Sequence, residues 1–426
     1  MTQTLRRVAV VGGVRIPFCR SNTLSADQTN LDMMTAVLDG IADRYGLEGE
    51  KVDEVTGGAV VTHSKDWNLA REAVIGSKLA PATPGITMIQ ACGTSLQAAM
   101  GIAAKIATGQ IESGIACGSD TTSDPPIVFS KKFAGRLAEM SRKKSAWDKV
   151  KVFKGLSPAE LAPVPPLVAE PRTGLSMGQH CELMAQDWQI PREEQDDLAY
   201  ESHKKAAEAY RSGYMDDLVV PNAGVFRDNN VREDIEREKL GELRPVFEKS
   251  ERGTLTAANS TPMTDGAAAV LLASEDWARQ RDLPILAYLT HYKTSANNFV
   301  AGEGLLMAPT IAVSEVLRQA DLSLQDFDFY EIHEAFAAQV LATLKAWNDA
   351  EYCARHLGRN APLGENDRSR MNVKGSSISV CHPFAATGAR IAGKMAMLLA
   401  EKGSGRGLIS ICTAGGMGVA AIMEAA

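Results

Sequence analysis

Short apolar runs punctuate the chain at Val8 to Val11, Ile86 to Ile89, Ile111 to Cys117, Ile378 to Val380 and Leu408 to Cys412. Each is strand-sized, and alanine-rich stretches with apolar residues at helical spacing separate them. Leu96, Ala99, Ile102, Ala103 and Ile106 form one such stripe; Ile391, Met395, Leu398 and Leu399 form another. Strands alternating with amphipathic helices predict an α/β protein. The two ends of the chain follow one plan. Leu47 stands five residues before Val52-Asp53, where a strand opens towards Val61, and Leu322 stands five residues before Phe327-Asp328, where a strand opens towards His333. Next come a strand ending at Cys92, a helix, and a strand into Cys117-Gly118-Ser119. Their counterparts are a strand ending at Cys381-His382, a helix, and a strand into Cys412-Thr413-Ala414-Gly415-Gly416. The pattern predicts a duplication, with Cys92 and His382 at equivalent strand-to-helix switches.

The chain has 426 residues, roughly three domain-sized units at about 150 residues each. With 45% hydrophobic and 23% charged residues it has the composition of a folded globular protein, not of a disordered or coiled-coil one. A net charge of -7 argues against a general nucleic-acid binder, which needs a basic excess. Apart from glycine, the longest apolar run is Ala267 to Ala273, far short of the roughly 18 residues that span a bilayer. Arg6 and Arg7 before Val8 to Val14 imitate a secretory leader, but Arg15 interrupts the run and no cleavage pattern follows, so it is read as a buried strand. Seven cysteines without a Cys-x-x-Cys pair indicate neither a disulfide framework nor a zinc ribbon and suit a reducing cytoplasm.

Composition shifts in the middle. Residues 131 to 154 carry nine Lys or Arg against Glu139 and Asp148, a local +7 in an acidic protein. Prolines 158, 163, 165, 166 and 171 follow, then an amphipathic helical region from Gly178 to about Ser212. This predicts an inserted subdomain over 123–251, between a first half at 1–122, completed by about 252–276, and a second half at 277–426. The basic run is either a solvated helix face or a surface for an anionic partner.

Candidate chemistry gathers at the switches. Cys92, before Gly93-Thr94-Ser95, stands where free amides and the helix dipole would lower a thiol's pKa, and Gly93 would let a substrate approach. His382, followed by a helix-starting Pro383, is placed to take the Cys92 proton and to support an oxyanion. Cys412 precedes the bend Ala414-Gly415-Gly416-Met417-Gly418, whose amides can converge on an anionic oxygen while the thiol serves as acid or base. Cys117, in a similar local setting, is the control and should have no catalytic role. His333-Glu334 opens like a zinc-protease motif, but Ala337 stands where the second ligand belongs, so a metal site is rejected. Gly12-Gly13 and Gly403-Ser404-Gly405 fail the nucleotide fingerprints, so no NAD, flavin or ATP site is implied.

Together Ala-Cys92-Gly, His333-Glu-Ala-Phe-Ala, His382-Pro-x-Ala-Ala-Thr-Gly, Cys412-x-Ala-Gly-Gly-Met-Gly and the segment Gly253 to Ala267 resemble the thiolase family, in its order and over nearly the whole chain. The resemblance implies duplicated mixed-sheet α/β/α layers with an inserted loop subdomain. It also implies thiolysis: Cys92 attacks the keto carbon of a 3-ketoacyl-CoA, acetyl-CoA leaves, and coenzyme A takes the acyl group. His382 would activate Cys92, Cys412 would act on the acetyl carbon, and His333, where many members carry Asn, would support an oxyanion hole. Backbone amides of Cys92 and Ala414 would form a second hole, and Met177 and Thr261 would touch substrate. Coenzyme A and acyl-CoA enter as substrates, with no permanently bound cofactor and no metal.

The His-Glu-Ala-Phe-Ala form looks like the β-subunit type of fatty-acid β-oxidation. That type implies a homodimer or larger homo-oligomer and an enoyl-CoA hydratase/3-hydroxyacyl-CoA dehydrogenase partner, with nucleic acid and transmembrane segments excluded. The alternative is an acetoacetyl-CoA thiolase running in the condensing direction. A ketoacyl synthase would lack a catalytic Cys412, and a non-catalytic acyl-CoA- or lipid-binding relative would not need Cys92, His382 and Cys412. One departure stands out: Cys381 replaces the family's usual Gly, and is expected to narrow the acyl pocket and offer a third oxidisable thiol.

Overall fold

Valines at positions 8, 10, 11 and 14 favour extended backbone, and they form β1 (Val8–Arg15), buried along its whole length in a computed structural model that describes residues 5–426. Residues 1–4, the start of the expected first half, lie outside the described residues. The further strands are β2 (Cys19–Arg20), β3 (Glu54–Gly58), β4 (Gly85–Thr87), β5 (Ser113–Asp120), β6 (Val128–Phe129), β7 (Pro163–Val164) and β8 (Thr264–Ser274), then β9 (Ala287–Ala296), β10 (Phe329–Ile332), β11 (Arg406–Thr413) and β12 (Met417–Ala425). Arg15, which ended the leader-like run, is itself buried and pairs with both oxygens of Asp228 at 2.6 and 2.7 Å.

A mixed sheet runs in the order β10-β11-β12-β9-β1-β8-β5-β3-β4, with β2 at one end of β8. It is two sheets sharing an edge, since β1 meets β9 only at Ala9–Tyr288 and Val10–Ala287. On one side β3 is parallel to β5, and β5 and β1 are antiparallel to β8. On the other, β10 is parallel to β11, and β11 and β9 are antiparallel to β12. That repetition is the expected duplication.

It breaks at one strand. β4 pairs in parallel with β3 from Val55–Gly85 to Gly57–Thr87, but the strand expected at Ile378 to Val380 is a short helix, Ser377–Val380. Three apolar residues are too few for periodicity to separate strand from helix. The matching pairing is reduced to a single bridge, Tyr330–Met371. Asn372 then takes over: its side-chain oxygen accepts from Ile332 N–H at 3.0 Å and its amide donates to Ile332 C=O at 2.9 Å. At φ 48°, Asn372 also turns the chain away from the sheet.

Alternate residues of β8 feed two cores. Ala268, Val270 and Leu272 join Ile409, Ile411 and the helices Thr94–Ala107 and Thr387–Lys402 in a central layer. Ala269, Leu271 and Ala273 pack on Met33, Met34 and Leu38 of the helix Asn30–Tyr45. Burial on both faces explains the unbroken apolar run. The two central helices touch at their first turns: a Cβ on Gly388 would lie 2.3 Å from Leu96 N, and Ala389 N–H donates to Ser95 Oγ at 2.8 Å. Between β5 and β8, the basic helices Lys131–Arg142 and Ala146–Lys151 bury no residue. The region expected as one helix from Gly178 to Ser212 is two, Met177–Asp187 and Arg192–Arg211, divided where Gln189 takes φ 50° and Pro191 withholds an N–H. No helix among the described residues is long and apolar enough to cross a membrane.

Candidate active site

Past β4 the chain makes a tight corner. Ala91 adopts φ 45°, Gly93 N–H donates to Gln90 C=O at 3.0 Å, and the Thr94 hydroxyl donates to Ala91 C=O at 2.7 Å while accepting Gln90 N–H at 2.8 Å. This turn sets Cys92 just ahead of the 14-residue helix Thr94–Ala107. Gly93 has a different reason from substrate approach: a Cβ there would meet Val419 at 2.8 Å and Thr413 at 2.9 Å, so the missing side chain admits β11 and β12.

The second corner lies 290 residues on and meets the first. His382 Nε2 is 3.1 Å from Cys92 Sγ, and His382 Nδ1 is 2.5 Å from Thr387 Oγ1, the first residue of the other central helix. Pro383 precedes a 3-10 turn, Phe384–Ala386, and not the helix itself. Asp120, which directly follows the control segment Cys117-Gly118-Ser119 and to which sequence reasoning gave no role, ties the corners together. Its carboxylate accepts Val60, Val61 and Ala385 N–H at 2.9, 2.8 and 2.8 Å, and burial pushes its pKa up to about 7. Cys381 sits at φ 74°, ψ 175°, a conformation usually reserved for glycine. Its thiol is fully buried against Thr264 and pushed up by that burial, so it is not the accessible oxidisable group expected of it.

Burial also overturns the expected low thiol pKa. Desolvation outweighs the helix dipole and pushes Cys92 up to about 12, although Ala414 N–H hydrogen-bonds the sulfur and opposes the rise. The control Cys117 is likewise pushed to about 12 by burial. Both thiols are buried, but Cys92 keeps 8% of its surface exposed where Cys117 keeps none, and Cys92 has an imidazole partner. Burial first, and the Arg390 charge second, push His382 down to about 3. At neutral pH the pair is therefore a thiol beside a free imidazole base.

Cys412, on β11, is buried and held well above the ordinary thiol range by desolvation first, with Cys92 and Cys181 as neighbouring contributors. The bend after it carries Gly415 at φ 79° and Gly416 at φ 69°, and Gly415 N–H donates at 2.8 Å to Glu170, a carboxylate from the insertion that the sequence did not single out. His333 is buried with its ring centre 4.2 Å from that of His382, its Nδ1 2.7 Å from Ser377 Oγ, and its Nε2 without a partner among the described residues. Cys92, His333 and His382 each bring one donor atom within 4.8 Å of the others. Thr261 donates both N–H and O–H to Ala335 C=O, at 3.1 and 3.2 Å, which steadies the His333-Glu-Ala-Phe segment. Met177 packs against the apolar cluster that holds Cys412, Phe336 and Leu306.

Comparison with known proteins bears on the chain as a whole. Residues 8–276 match the family "Thiolase, N-terminal domain" and residues 283–425 match "Thiolase, C-terminal domain". A 3-ketoacyl-CoA thiolase of Alteromonas mediterranea is 42% identical over 98% of this chain and 97% of its own length. One of Pectobacterium carotovorum is 42% identical over 98% and 96%. Among solved structures, an acetyl-CoA acetyltransferase of Bacillus anthracis superposes with TM-score 0.82 at 29% identity, covering all of both chains. The Acat5 thiolase of Ascaris suum, solved in complex with coenzyme A, gives TM-score 0.82 at 25% identity over 99% of this chain and all of its own. On its sequence and its fold alike, the chain belongs to the thiolase family of acyltransferases.

Proposed function

We propose that the protein is a 3-ketoacyl-CoA thiolase, and that the contact between His382 Nε2 and Cys92 Sγ at 3.1 Å carries the reaction. As the sulfur attacks the keto carbon, its proton passes to His382. The bond between the keto carbon and the carbon beside the thioester then breaks, and its electron pair becomes an enolate that takes the Cys412 proton and leaves as acetyl-CoA. Coenzyme A next gives its thiol proton to the Cys412 thiolate and attacks the acyl-enzyme, and Cys92 departs, recovering its proton from His382. Each developing oxyanion needs fixed donors. Backbone N–H of Cys92 and Ala414 serve one, and His333 with His382 the other. Met177 and Thr261 line the substrate side. A thiol left neutral by burial needs such an adjacent base, so the histidine, not a preformed thiolate, is what activates it.

Cys92→Ser, with a far less acidic nucleophile, should lower thiolysis of a 3-ketoacyl-CoA by about a thousandfold or more while circular dichroism stays unchanged; normal turnover would overturn the assignment. The Bacillus anthracis likeness keeps an acetoacetyl-CoA thiolase working in the condensing direction as the second reading. Thiolysis rates on acetoacetyl-CoA against longer 3-ketoacyl-CoA esters decide between them. We place the enzyme in the cytoplasm, in fatty-acid breakdown, as a homodimer or larger homo-oligomer. The open edge strand β4 with exposed Ile86 and Ile89 supports self-association. The basic helices of 131–154, with exposed Trp147 and Val150, support docking of a hydratase/dehydrogenase subunit; a pull-down unaffected by reversing those charges would remove that partner.

A further inference from the structure

His333 and His382 both face Cys92, yet different groups hold them. His382 rests on Thr387 through Nδ1 and meets the sulfur through Nε2. His333 Nδ1 lies 2.7 Å from Ser377 Oγ, and that same oxygen lies 2.7 Å from Arg390 Nη2. A guanidinium only donates, so Ser377 accepts from Arg390. The remaining hydrogen-bond partner of the Ser377 hydroxyl is His333 Nδ1, and a buried hydroxyl uses its proton. Nδ1 is then the acceptor and must be bare, which puts the ring proton on Nε2. That N–H is buried and has no partner among the described residues.

We propose that Arg390 and Ser377 are positioning residues that lock His333 as its Nε2–H tautomer, opposite to His382, so that Cys92 is flanked by one imidazole base and one imidazole donor. What the donor serves, a substrate oxygen, rests on the thiolase reading. Thr387 and Arg390 stand three residues apart on one helix, so a single turn sets both rings. Arg390 is 4% exposed, and the charges around it are Glu331, Arg15, Glu334, Asp228 and Lys394. Lys394 pairs with Glu331 at 2.8 Å, and Glu334 accepts from Ser202, Asn372 and Ile378 N–H. After burial and the neighbouring His382, the Arg390 charge also depresses His333, as it does His382, which keeps both rings neutral. Cys92, His333 and His382 are spaced to hold one soft cation, but a ligand would need a bare His333 nitrogen on that side, and Ser377 leaves none.

Selective 15N labelling of histidine, read by long-range proton–nitrogen correlation, reports the tautomer without an activity assay. The unaltered protein should show His333 protonated on Nε2. Ser377→Ala should give a mixture, and Ser377→Thr, which keeps the hydroxyl, should restore the single form. In thiolysis Ser377→Ala should lower kcat by about tenfold to a hundredfold with KM within about twofold, and adding it to His333→Asn should bring no additional loss. A proton on Nδ1 in the unaltered protein, or an unmoved tautomer in Ser377→Ala, overturns the lock. An expected tautomer in a protein without thiolysis overturns the thiolase reading and leaves the lock standing.

Discussion

The two corners that meet at the catalytic sulfur come from one duplicated plan and are built differently. At Cys92 the backbone does the work: β4 pairs with β3, a tight turn follows, and the helix begins. At His382 the equivalent strand is gone, and side chains stand in its place. Asn372 imitates the strand against Ile332, while Ser377 and Ser379 link to His333 and Ser202. The first half thus keeps an open edge with Ile86 exposed, and the second fills the same position with a buried polar network. A nucleophile needs only a sulfur at a fixed point. Two histidines need hydrogen-bond partners as well, and the segment that replaces the strand supplies one of them, the Ser377 hydroxyl.

Four tests press on that comparison. The corners meet because nothing projects from Gly388, whose Cβ would fall 2.3 Å from Leu96 N; Gly388→Ala should destabilise the fold by about 3 kcal/mol, read as a lowered urea midpoint. Asn372→Ala removes two backbone partners from buried Ile332, an expected loss of about 2 kcal/mol; no change in the midpoint would mean the strand mimic is ornamental. Protonation separates the corners next. His382 is depressed to about 3 when folded and returns to about 6.5 on unfolding. Between those values only the unfolded chain binds the proton, so stability falls as pH drops below about 6.5. Relative to His382→Asn the unaltered protein should lose up to about 1.4 kcal/mol per pH unit there, and the difference should be flat above neutrality. Smallest of all, Cys381→Gly relieves the φ of 74° but gives up a packed thiol, for a net gain of about 1 kcal/mol or less, with chain-length preference unchanged because the thiol faces Thr264.

Much of this was legible in the sequence where periodicity governs. The stripes of Leu96 to Ile106 and Ile391 to Leu399 became the central helices, and the runs around Val8 and Leu408 became β1 and β11. The cysteines and histidines stood out through their motifs. Asn372, Ser377, Arg390, Asp120 and Glu170 did not, since a side chain that substitutes for backbone or holds another side chain follows no repeat. The Cys92 thiol departs from its sequence expectation for a related reason: a helix start favours a thiolate only while water reaches it, and layers that exclude water from Cys92 come from the far end of the chain.

The central place of β1 also shapes how the molecule is made. β1 leaves the ribosome well before the two strands that flank it in the finished sheet, β8 and β9, which begin at Thr264 and Ala287. At 5–20 residues per second it stays without either neighbour for roughly 12–50 s of translation. Its valines must be sheltered for that interval, so growing chains should depend on holding chaperones until β8 has been made.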